Sequence, residues 1–97
     1  MILAIDFDGV VHDHKHPVQG RRMGPPIEGA QAALQSFAAR GDIIIIHSVW
    51  GDQQKAIGDW MKYYEIPYDQ ITHIKPQADV YLDDKAIRFT RWVDVMI

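Results

Sequence analysis

Two carboxylates separated by one residue follow the apolar run at the start of the chain. Residues 2–5 read Ile-Leu-Ala-Ile, and Asp6, Phe7, Asp8 and Gly9 come next. Such a run predicts a strand buried on both faces, and extended geometry would send Asp6 and Asp8 to the same side. Two like charges this close need a cation, and carboxylate oxygens suit Mg²⁺. The pattern also fits a plain strand end followed by an Asp-Gly turn.

Further polar residues stand where later apolar runs end. Ser48 and Lys75 follow the second and third runs, and Asp83 and Asp84 follow the fourth. Because parallel strands bring their carboxyl ends to one edge of a sheet, we expect these side chains to lie together there. Carboxylates for Mg²⁺, a hydroxyl group and a cation for phosphate oxygens are what phosphoryl transfer requires.

The elements that must position these residues alternate along the chain. This alternation predicts right-handed strand–helix–strand crossovers and a central parallel sheet in a three-layer α/β domain. Asp52 is the expected N-cap of the second helix, and the chain after residue 84 fits either a short helix or an edge strand. Strands are predicted at residues 2–5, 43–46, 71–74 and 79–82, and amphipathic helices between Ile27 and Gly41 and over residues 52–64.

Residues 10–26 form the longest polar stretch and are punctuated by Gly and Pro. A loop of this length in a small domain is usually functional or mobile. It contains His12, His14 and His16, which would share one face of a strand and bind a transition metal there, or would form a solvated loop edge.

The same loop carries the only adjacent arginines of the chain, Arg21 and Arg22. An Arg fork matches the geometry of phosphate, so this pair is a candidate for substrate binding, with a solvated loop pair as the alternative. A short hairpin with Gly20 near its turn is also compatible with the spacing.

Length and composition limit the function classes. The chain has 97 residues, which fits one domain over residues 1–97 with one modest core. It has no cysteine, so thiol chemistry and zinc–thiolate sites are excluded. The net charge of -3 gives no support for broad nucleic-acid or membrane affinity. The apolar run at residues 2–5 is too short for a membrane span and lacks a preceding basic region, so a cytoplasmic location is expected.

The order of the motifs resembles that of the haloacid dehalogenase (HAD) superfamily of phosphohydrolases, and the resemblance covers nearly the whole chain. Residues 6–10 are similar to the first motif, and residues 43–48 to the second, a strand that ends in Ser or Thr. Lys75 is similar to the third motif and residues 80–84 to the fourth. The resemblance implies a Rossmann-like three-layer domain and Mg²⁺-dependent phosphatase activity.

Carried over to this chain, the resemblance implies that Asp6 is the nucleophile that forms an aspartyl-phosphate. Asp8 would protonate the leaving oxygen and then activate the water that hydrolyses the intermediate. Ser48 and Lys75 would hold phosphate oxygens. A carboxylate nucleophile of this kind divides a difficult displacement into two easier steps.

The resemblance also implies a Mg²⁺ site held by Asp6, Asp8, Asp83 and Asp84. Asp8 would contribute its backbone carbonyl. Asp84 aligns best with the direct ligand, and Asp83 would act directly or through water. Bound Mg²⁺ lowers the repulsion between a carboxylate nucleophile and an anionic phosphate.

Two features depart from most members of that superfamily. Only eight positions separate Lys75 from Asp83, so no crossover helix fits between their strands, and Lys75 would enter the site from a loop just before the last strand. There is also no room for a cap domain. The site should therefore be open, covered only by residues 10–26, and its substrate a phosphorylated small molecule or a macromolecular phosphate end, including that of a nucleic acid.

Two other functions fit part of the pattern. A response-regulator receiver domain also uses acidic residues, a Ser or Thr and a Lys-Pro pair, but its phosphoacceptor Asp ends a middle strand, where this chain has His47 and Ser48. A HAD-like fold kept as a non-catalytic phosphate- or Mg²⁺-binding module would retain the same residues. Mg²⁺-dependent release of phosphate separates a hydrolase from both, and the oligomeric state is left open by the sequence.

Overall fold

The computed structural model describes residues 1–17 and 23–97, which form a small α/β domain. Four strands make one sheet in the order β3-β2-β1-β4, and every pairing is parallel. The predicted parallel sheet is therefore confirmed. The elements are β1 Ile2–Asp6, α1 Ala30–Ala39, β2 Ile43–His47, α2 Gln54–Tyr63, β3 Gln70–Thr72, β4 Val80–Leu82 and a short 3-10 turn, Trp92–Asp94.

Both helices pack on one face of the sheet. The chain moves in one direction from β1 through β2 to β3, and right-handed crossovers in one direction place their helices on the same side. The buried core lies between this face and the helices, and it joins Leu3 and Ile5 of β1 with Ile44 and Ile46 of β2. The helices contribute Ala30, Leu34, Ile57, Trp60 and Met61 to the core.

The second face of the sheet has no helix over it among the described residues. Alternation along the strands places Ala4, Ile45 and Tyr81 there, and Ile43 at the start of β2 is 47% exposed. A two-layer α/β arrangement is thus what the described chain shows, and the three-layer arrangement that was predicted is not confirmed.

The connection from β3 to β4 consists of residues 73–79 and contains no helix. These strands lie at opposite edges of the sheet, so their ends are separated by three strand spacings, about 14 Å, and by about 10 Å along the strands. Eight peptide steps span up to about 27 Å, so the direct path is long enough. Lys75 and Asp79 line a cleft with Ala4 and Asp6, which places this connection across the second face.

Three aspartates fix the starts of the strands. The Asp69 carboxylate accepts a hydrogen bond from the backbone N–H of Ile44 at 2.7 Å, and the Asp79 carboxylate accepts one from Ile2 at 2.7 Å. Asp42, which is buried, accepts a hydrogen bond from the N-terminal ammonium group at 2.9 Å and pairs with Arg40. The N-terminal ammonium group and the Arg40 guanidinium hold the pKa of Asp42 below its usual value.

The sequence predicted the glycine that follows α1 correctly, but it did not predict the N-cap of α2. Gly41 lies just after α1 with φ 90°, in the left-handed conformation expected of a residue that stops a helix. The N-cap of α2 is Gln53, without a side-chain cap hydrogen bond, so the predicted N-cap at Asp52 is one residue too early. Neither of these ten-residue helices, nor any other helix within residues 1–17 and 23–97, is long and apolar enough to cross a membrane.

Of the two elements considered for the chain after β4, a short helix and an edge strand, the structure has a short helix, the single 3-10 turn at Trp92–Asp94. Residues 83–97 contain no strand. Many of their large apolar side chains are exposed, including Ile87, Phe89, Trp92 and Val93. This segment therefore adds little to the core.

Candidate functional site

Two neighbouring clefts open near the carboxyl ends of the strands, and the predicted site residues divide between them. The Asp6 cleft, of about 740 Å³, is lined by Asp6, Lys75 and Asp83. The Asp8 cleft, of about 520 Å³, is lined by Asp8 and Ser48. The carboxylates that stand two residues apart in the sequence thus face different spaces.

A tight turn after β1 causes this division. The Phe7 carbonyl accepts hydrogen bonds from the backbone N–H groups of Val11 at 3.0 Å and His12 at 2.8 Å. Phe7 itself is buried in the core on the helix side. Phe7 therefore still follows the alternation of Leu3 and Ile5, and the alternation is lost at the turn after it. The expectation that Asp6 and Asp8 share one side does not hold.

Asp6 lies at the end of β1 beside the end of β2. The parallel register pairs Asp6 with His47, and His47 Nδ1 lies 3.1 Å from Asp6 Oδ1. Both side chains are partly exposed, Asp6 at 28% and His47 at 24%. This contact was not predicted, although the signal was present: two apolar runs of similar length, one ending in Asp and the other in His, must bring those residues level when the strands pair in parallel.

Asp6, Asp83 and Asp84 form an acidic group at this edge. Each offers one carboxylate oxygen, and the three oxygens lie within 4.8 Å of one another. β4 brings the pair there because Leu82 is level with Ile5 of β1. Within residues 1–17 and 23–97, this is the one group of three or more potential metal ligands.

Gly9 permits the approach of Asp84. It adopts φ 85°, a left-handed conformation that residues with a Cβ rarely take. A Cβ at this position would also overlap the Asp84 carboxylate. Asp83 is held separately, because its Oδ1 accepts a hydrogen bond from the backbone N–H of Lys85 at 2.8 Å. The turn after β1 and the turn after β4 therefore fit against each other at the acidic group.

Lys75 enters the Asp6 cleft from the β3–β4 connection, with Tyr81 beneath it. The Lys75 Nζ lies 4.9 Å from the centre of the Tyr81 ring, within the range of a cation–π contact. The Tyr81 hydroxyl donates a hydrogen bond to the Pro76 carbonyl at 2.7 Å and accepts one from the Ala78 N–H at 3.2 Å. Tyr81 thus secures the connection that carries Lys75.

The Asp8 cleft is built from more deeply packed groups. Ser48 is 6% exposed, and its Oγ accepts a hydrogen bond from the backbone N–H of Trp50 at 3.2 Å. Asp8 Oδ1 lies 2.7 Å from Nδ1 of His12, which is itself 6% exposed. Trp50, 55% exposed, forms part of the cleft wall.

The three histidines of the loop are not gathered into a metal site. His12 is engaged with Asp8, and His16 pairs with Asp13 at 2.9 Å on the surface. The described part of the loop forms turns rather than a strand, so the alternation that would place the rings on one face is lost. Arg21 and Arg22, predicted to bind phosphate, and Gly20 lie outside the described residues.

Comparison with known proteins adds no assignment to this geometry, because no family model, curated protein or solved structure matches the chain. The resemblance of the four motifs to the HAD superfamily therefore stays a prediction. The chemistry of the site must be argued from the acidic group, the two clefts and the contacts within them.

Proposed function

We propose that this chain is a Mg²⁺-dependent phosphohydrolase, of HAD type, that cleaves phosphate monoesters through an aspartyl-phosphate on Asp6. The acidic group carries the proposal: the carboxylate oxygens of Asp6, Asp83 and Asp84 come within 4.8 Å of one another at the carboxyl edge of a parallel sheet. That edge is where open α/β sheets bind ligands.

The acidic group fits Mg²⁺. Three carboxylates this close repel one another unless a cation lies between them. Their hard oxygen ligands, two of them on exposed side chains, leave room for the water molecules that Mg²⁺ retains. When bound, Mg²⁺ would neutralise charge on the phosphoryl group and on the attacking carboxylate.

Asp6 is proposed as the nucleophile. One of its oxygens forms a bond to phosphorus while the bond from phosphorus to the leaving oxygen breaks. The contact between His47 Nδ1 and Asp6 Oδ1 at 3.1 Å supports this role, because it fixes the orientation of the carboxylate. In the second step a water molecule attacks phosphorus, the bond to Asp6 breaks and phosphate is released.

Asp8 is proposed as the general acid and then the general base. It gives a proton to the leaving oxygen in the first step and takes one from the attacking water in the second. Its side chain is 36% exposed and lies in the cleft beside Ser48. A substrate held between the two clefts would reach Asp6 and Asp8 together.

Ser48 and Lys75 are proposed to hold the phosphoryl oxygens from the two sides. Lys75 reaches the Asp6 cleft, and Ser48 lines the Asp8 cleft. The part of the substrate beyond the phosphate is proposed to meet the loop at residues 10–26, including Arg21 and Arg22. The three-layer arrangement is part of the same proposal, and residues 86–88, which line the Asp6 cleft on the second face, would belong to its third layer.

The decisive experiment measures phosphate release from a generic aryl phosphate by the purified chain. We expect turnover with Mg²⁺, none with excess chelator, and recovery when Mg²⁺ is restored. A burst of the aryl leaving group, with an amplitude close to the enzyme concentration, is expected wherever hydrolysis of the intermediate is the slower step.

Two variants make the test specific to the acidic group. Asp84→Asn should raise the Mg²⁺ concentration required for activity. Asp59→Asn, at an exposed carboxylate that pairs with Lys55 on α2, should leave it unchanged. Mg²⁺ binding without turnover by the wild type would instead identify a non-catalytic binding module, and full activity in chelator would rule out the metal.

A further inference from the structure

Both ring nitrogens of His12 are engaged in the interior of the protein. Nδ1 lies 2.7 Å from Asp8 Oδ1, and Nε2 accepts a hydrogen bond from the backbone N–H of Gly24 at 2.8 Å. A backbone N–H can only donate, so Nε2 carries no hydrogen. The hydrogen of the neutral ring is therefore on Nδ1, and His12 donates it to Asp8.

The packing around His12 fixes the direction of this hydrogen bond. The ring stacks on Phe7, with centroids 4.8 Å apart and planes 15° apart, and meets the edge of Trp60 at 5.4 Å. The Trp60 indole N–H donates to the Gly24 carbonyl at 3.0 Å. Gly24 thus binds both aromatic side chains, through its N–H and its carbonyl, so rotation of the His12 ring would break contacts on both of its edges.

The hydrogen bond from His12 distinguishes the two carboxylate oxygens of Asp8. Its Oδ1 is the oxygen that accepts from His12, and no described residue hydrogen-bonds to its Oδ2. A protonated carboxyl group accepts most readily through its carbonyl oxygen and carries its hydrogen on the other oxygen. The His12 contact therefore selects Oδ2 as the oxygen that holds the exchangeable proton.

We infer that His12 is a positioning residue that orients Asp8 so that Oδ2, rather than Oδ1, acts as the general acid and then as the general base. This inference rests on the proposed phosphohydrolase function. In the first step the Oδ2–H bond breaks and its proton passes to the leaving oxygen as the bond from that oxygen to phosphorus breaks. In the second step Oδ2 takes a proton from the attacking water as the oxygen of that water bonds to phosphorus and the bond from phosphorus to Asp6 breaks. His12 keeps its own hydrogen on Nδ1 in both steps.

Two substitutions of His12 separate its two contacts. In His12→Asn the side-chain amide lies near the position of Nδ1, so it can donate to Asp8 but does not reach Gly24. In His12→Gln the amide lies near the position of Nε2, so it can reach Gly24 but not Asp8. His73→Gln, at an exposed histidine outside that loop and outside the lining of both clefts, is the control for loss of an imidazole.

The readout is kcat/KM over a series of phosphate monoesters from alkyl to activated aryl leaving groups, with Mg²⁺ present. This ratio reports the step in which the leaving group departs, even when hydrolysis of the intermediate limits kcat. We expect His12→Gln to lose about 10²-fold with alkyl phosphates, as is typical of a misplaced catalytic group, and much less with activated aryl phosphates. His12→Asn should stay closer to the wild type, and His73→Gln should match it.

The tautomer provides a second readout that does not depend on activity or on the variants folding. Nitrogen-15 NMR of the wild-type imidazole rings should show His12 with its hydrogen on Nδ1. A hydrogen on Nε2, or equal losses across the leaving-group series in both His12 variants, would overturn the inference while the proposed function stands. A wild type that hydrolyses none of the esters would overturn the proposed function and this inference with it.

Discussion

The Asp6 cleft and the Asp8 cleft are neighbours, yet they are constructed differently. Asp6 lies in a partly exposed cleft whose acidic and basic side chains come from strand ends and from the β3–β4 connection. Asp8 contacts a buried ring that is packed between Phe7 and Trp60 of the core. The difference suggests a division of work, in which charge is neutralised in the open cleft while a proton donor is oriented from the packed one.

The largest effect is expected at the nucleophile. Asp6→Asn keeps the shape of the side chain but removes the attacking charge, so kcat should fall by at least about 10⁴-fold, as for other covalent nucleophiles. The melting temperature should change little, because the Asp6 side chain is partly exposed and its contact with His47 is also partly exposed. Activity of the purified variant near that of the wild type would show that Asp6 is not the nucleophile.

A smaller and more selective loss is expected at the acid. Asp8→Asn should lower kcat/KM for alkyl phosphates by about 10²- to 10⁴-fold, the usual contribution of a positioned proton donor. Activated aryl phosphates need little protonation of the leaving oxygen, so their loss should be smaller. If kcat/KM fell by the same factor for every ester in the series, Asp8 would not be the proton donor.

Gly9, in the turn after β1, closely approaches the Asp84 carboxylate and should affect the metal. Gly9→Ala introduces a Cβ that overlaps the Asp84 carboxylate, so the affinity for Mg²⁺ should fall by at least about 10-fold, as is typical when metal ligands are disturbed. Gly41→Ala is the matched control, since Gly41 has a similar φ of 90° but open space around it. Both variants should lose about 1–2 kcal/mol of stability through the backbone conformation.

Equal Mg²⁺ affinity in these two glycine variants, measured by calorimetry, would show that the turn after β1 does not control the acidic group. A loss confined to Gly9→Ala would tie the metal site to the close approach of this turn and the turn after β4. The comparison is direct because the conformational strain is common to both positions.

A modest effect is expected from the residue that supports Lys75. Tyr81→Phe keeps the ring beneath Lys75 but removes the hydrogen bonds to Pro76 and Ala78, each worth about 0.5–1.5 kcal/mol. KM should rise several-fold with little change in kcat. The effect should be lost in the background of Lys75→Ala, since residues that act through one contact are not additive. Full additivity in this cycle would mean that Tyr81 supports only the fold.

The smallest effect on activity is expected at Asp42, at the opposite end of the sheet. Its pKa is held below the usual value, so its ion pairs stabilise the fold above the unfolded pKa, near pH 4, and this stabilisation is lost as the pH falls through the folded pKa. Asp42→Asn should therefore lower the melting temperature at neutral pH, with a difference from wild type that shrinks below about pH 4. A change in kcat would show that the two ends of the sheet are coupled.

The two clefts also differ in how far the sequence predicted them. The Asp6 cleft depends on strand ends, and periodicity and apolar runs locate strand ends well. Asp6, Asp83 and Asp84 were accordingly expected at one edge, and the structure places them there. The spacing of Lys75 likewise indicated a connection without a helix, as observed.

The Asp8 cleft depends on the folding of a turn against α2, which local patterns do not encode. His12 was considered as a metal ligand or as part of a solvated loop edge, but it is buried between Phe7 and Trp60. The contact needs Gly24 to return to the same place from 12 residues further along the chain. Such a long-range contact follows from tertiary packing and has no counterpart in the periodicity of the sequence.

The four consecutive isoleucines of β2, Ile43–Ile46, do not by themselves determine the register of this strand against its neighbours. A slip of one residue exchanges the two faces of a strand, and it is normally penalised because apolar and polar side chains trade places. Identical side chains remove that penalty, so this run does not encode its own alignment. The alignment information resides instead in acidic side chains such as Asp69, which accepts the hydrogen bond of Ile44. A slip that sets Ile46 beside Asp6 in place of His47 would still place isoleucines level with Leu3 and Ile5 of β1. The candidate nucleophile would then lose its neighbour without any loss of hydrophobicity on the core face of β2.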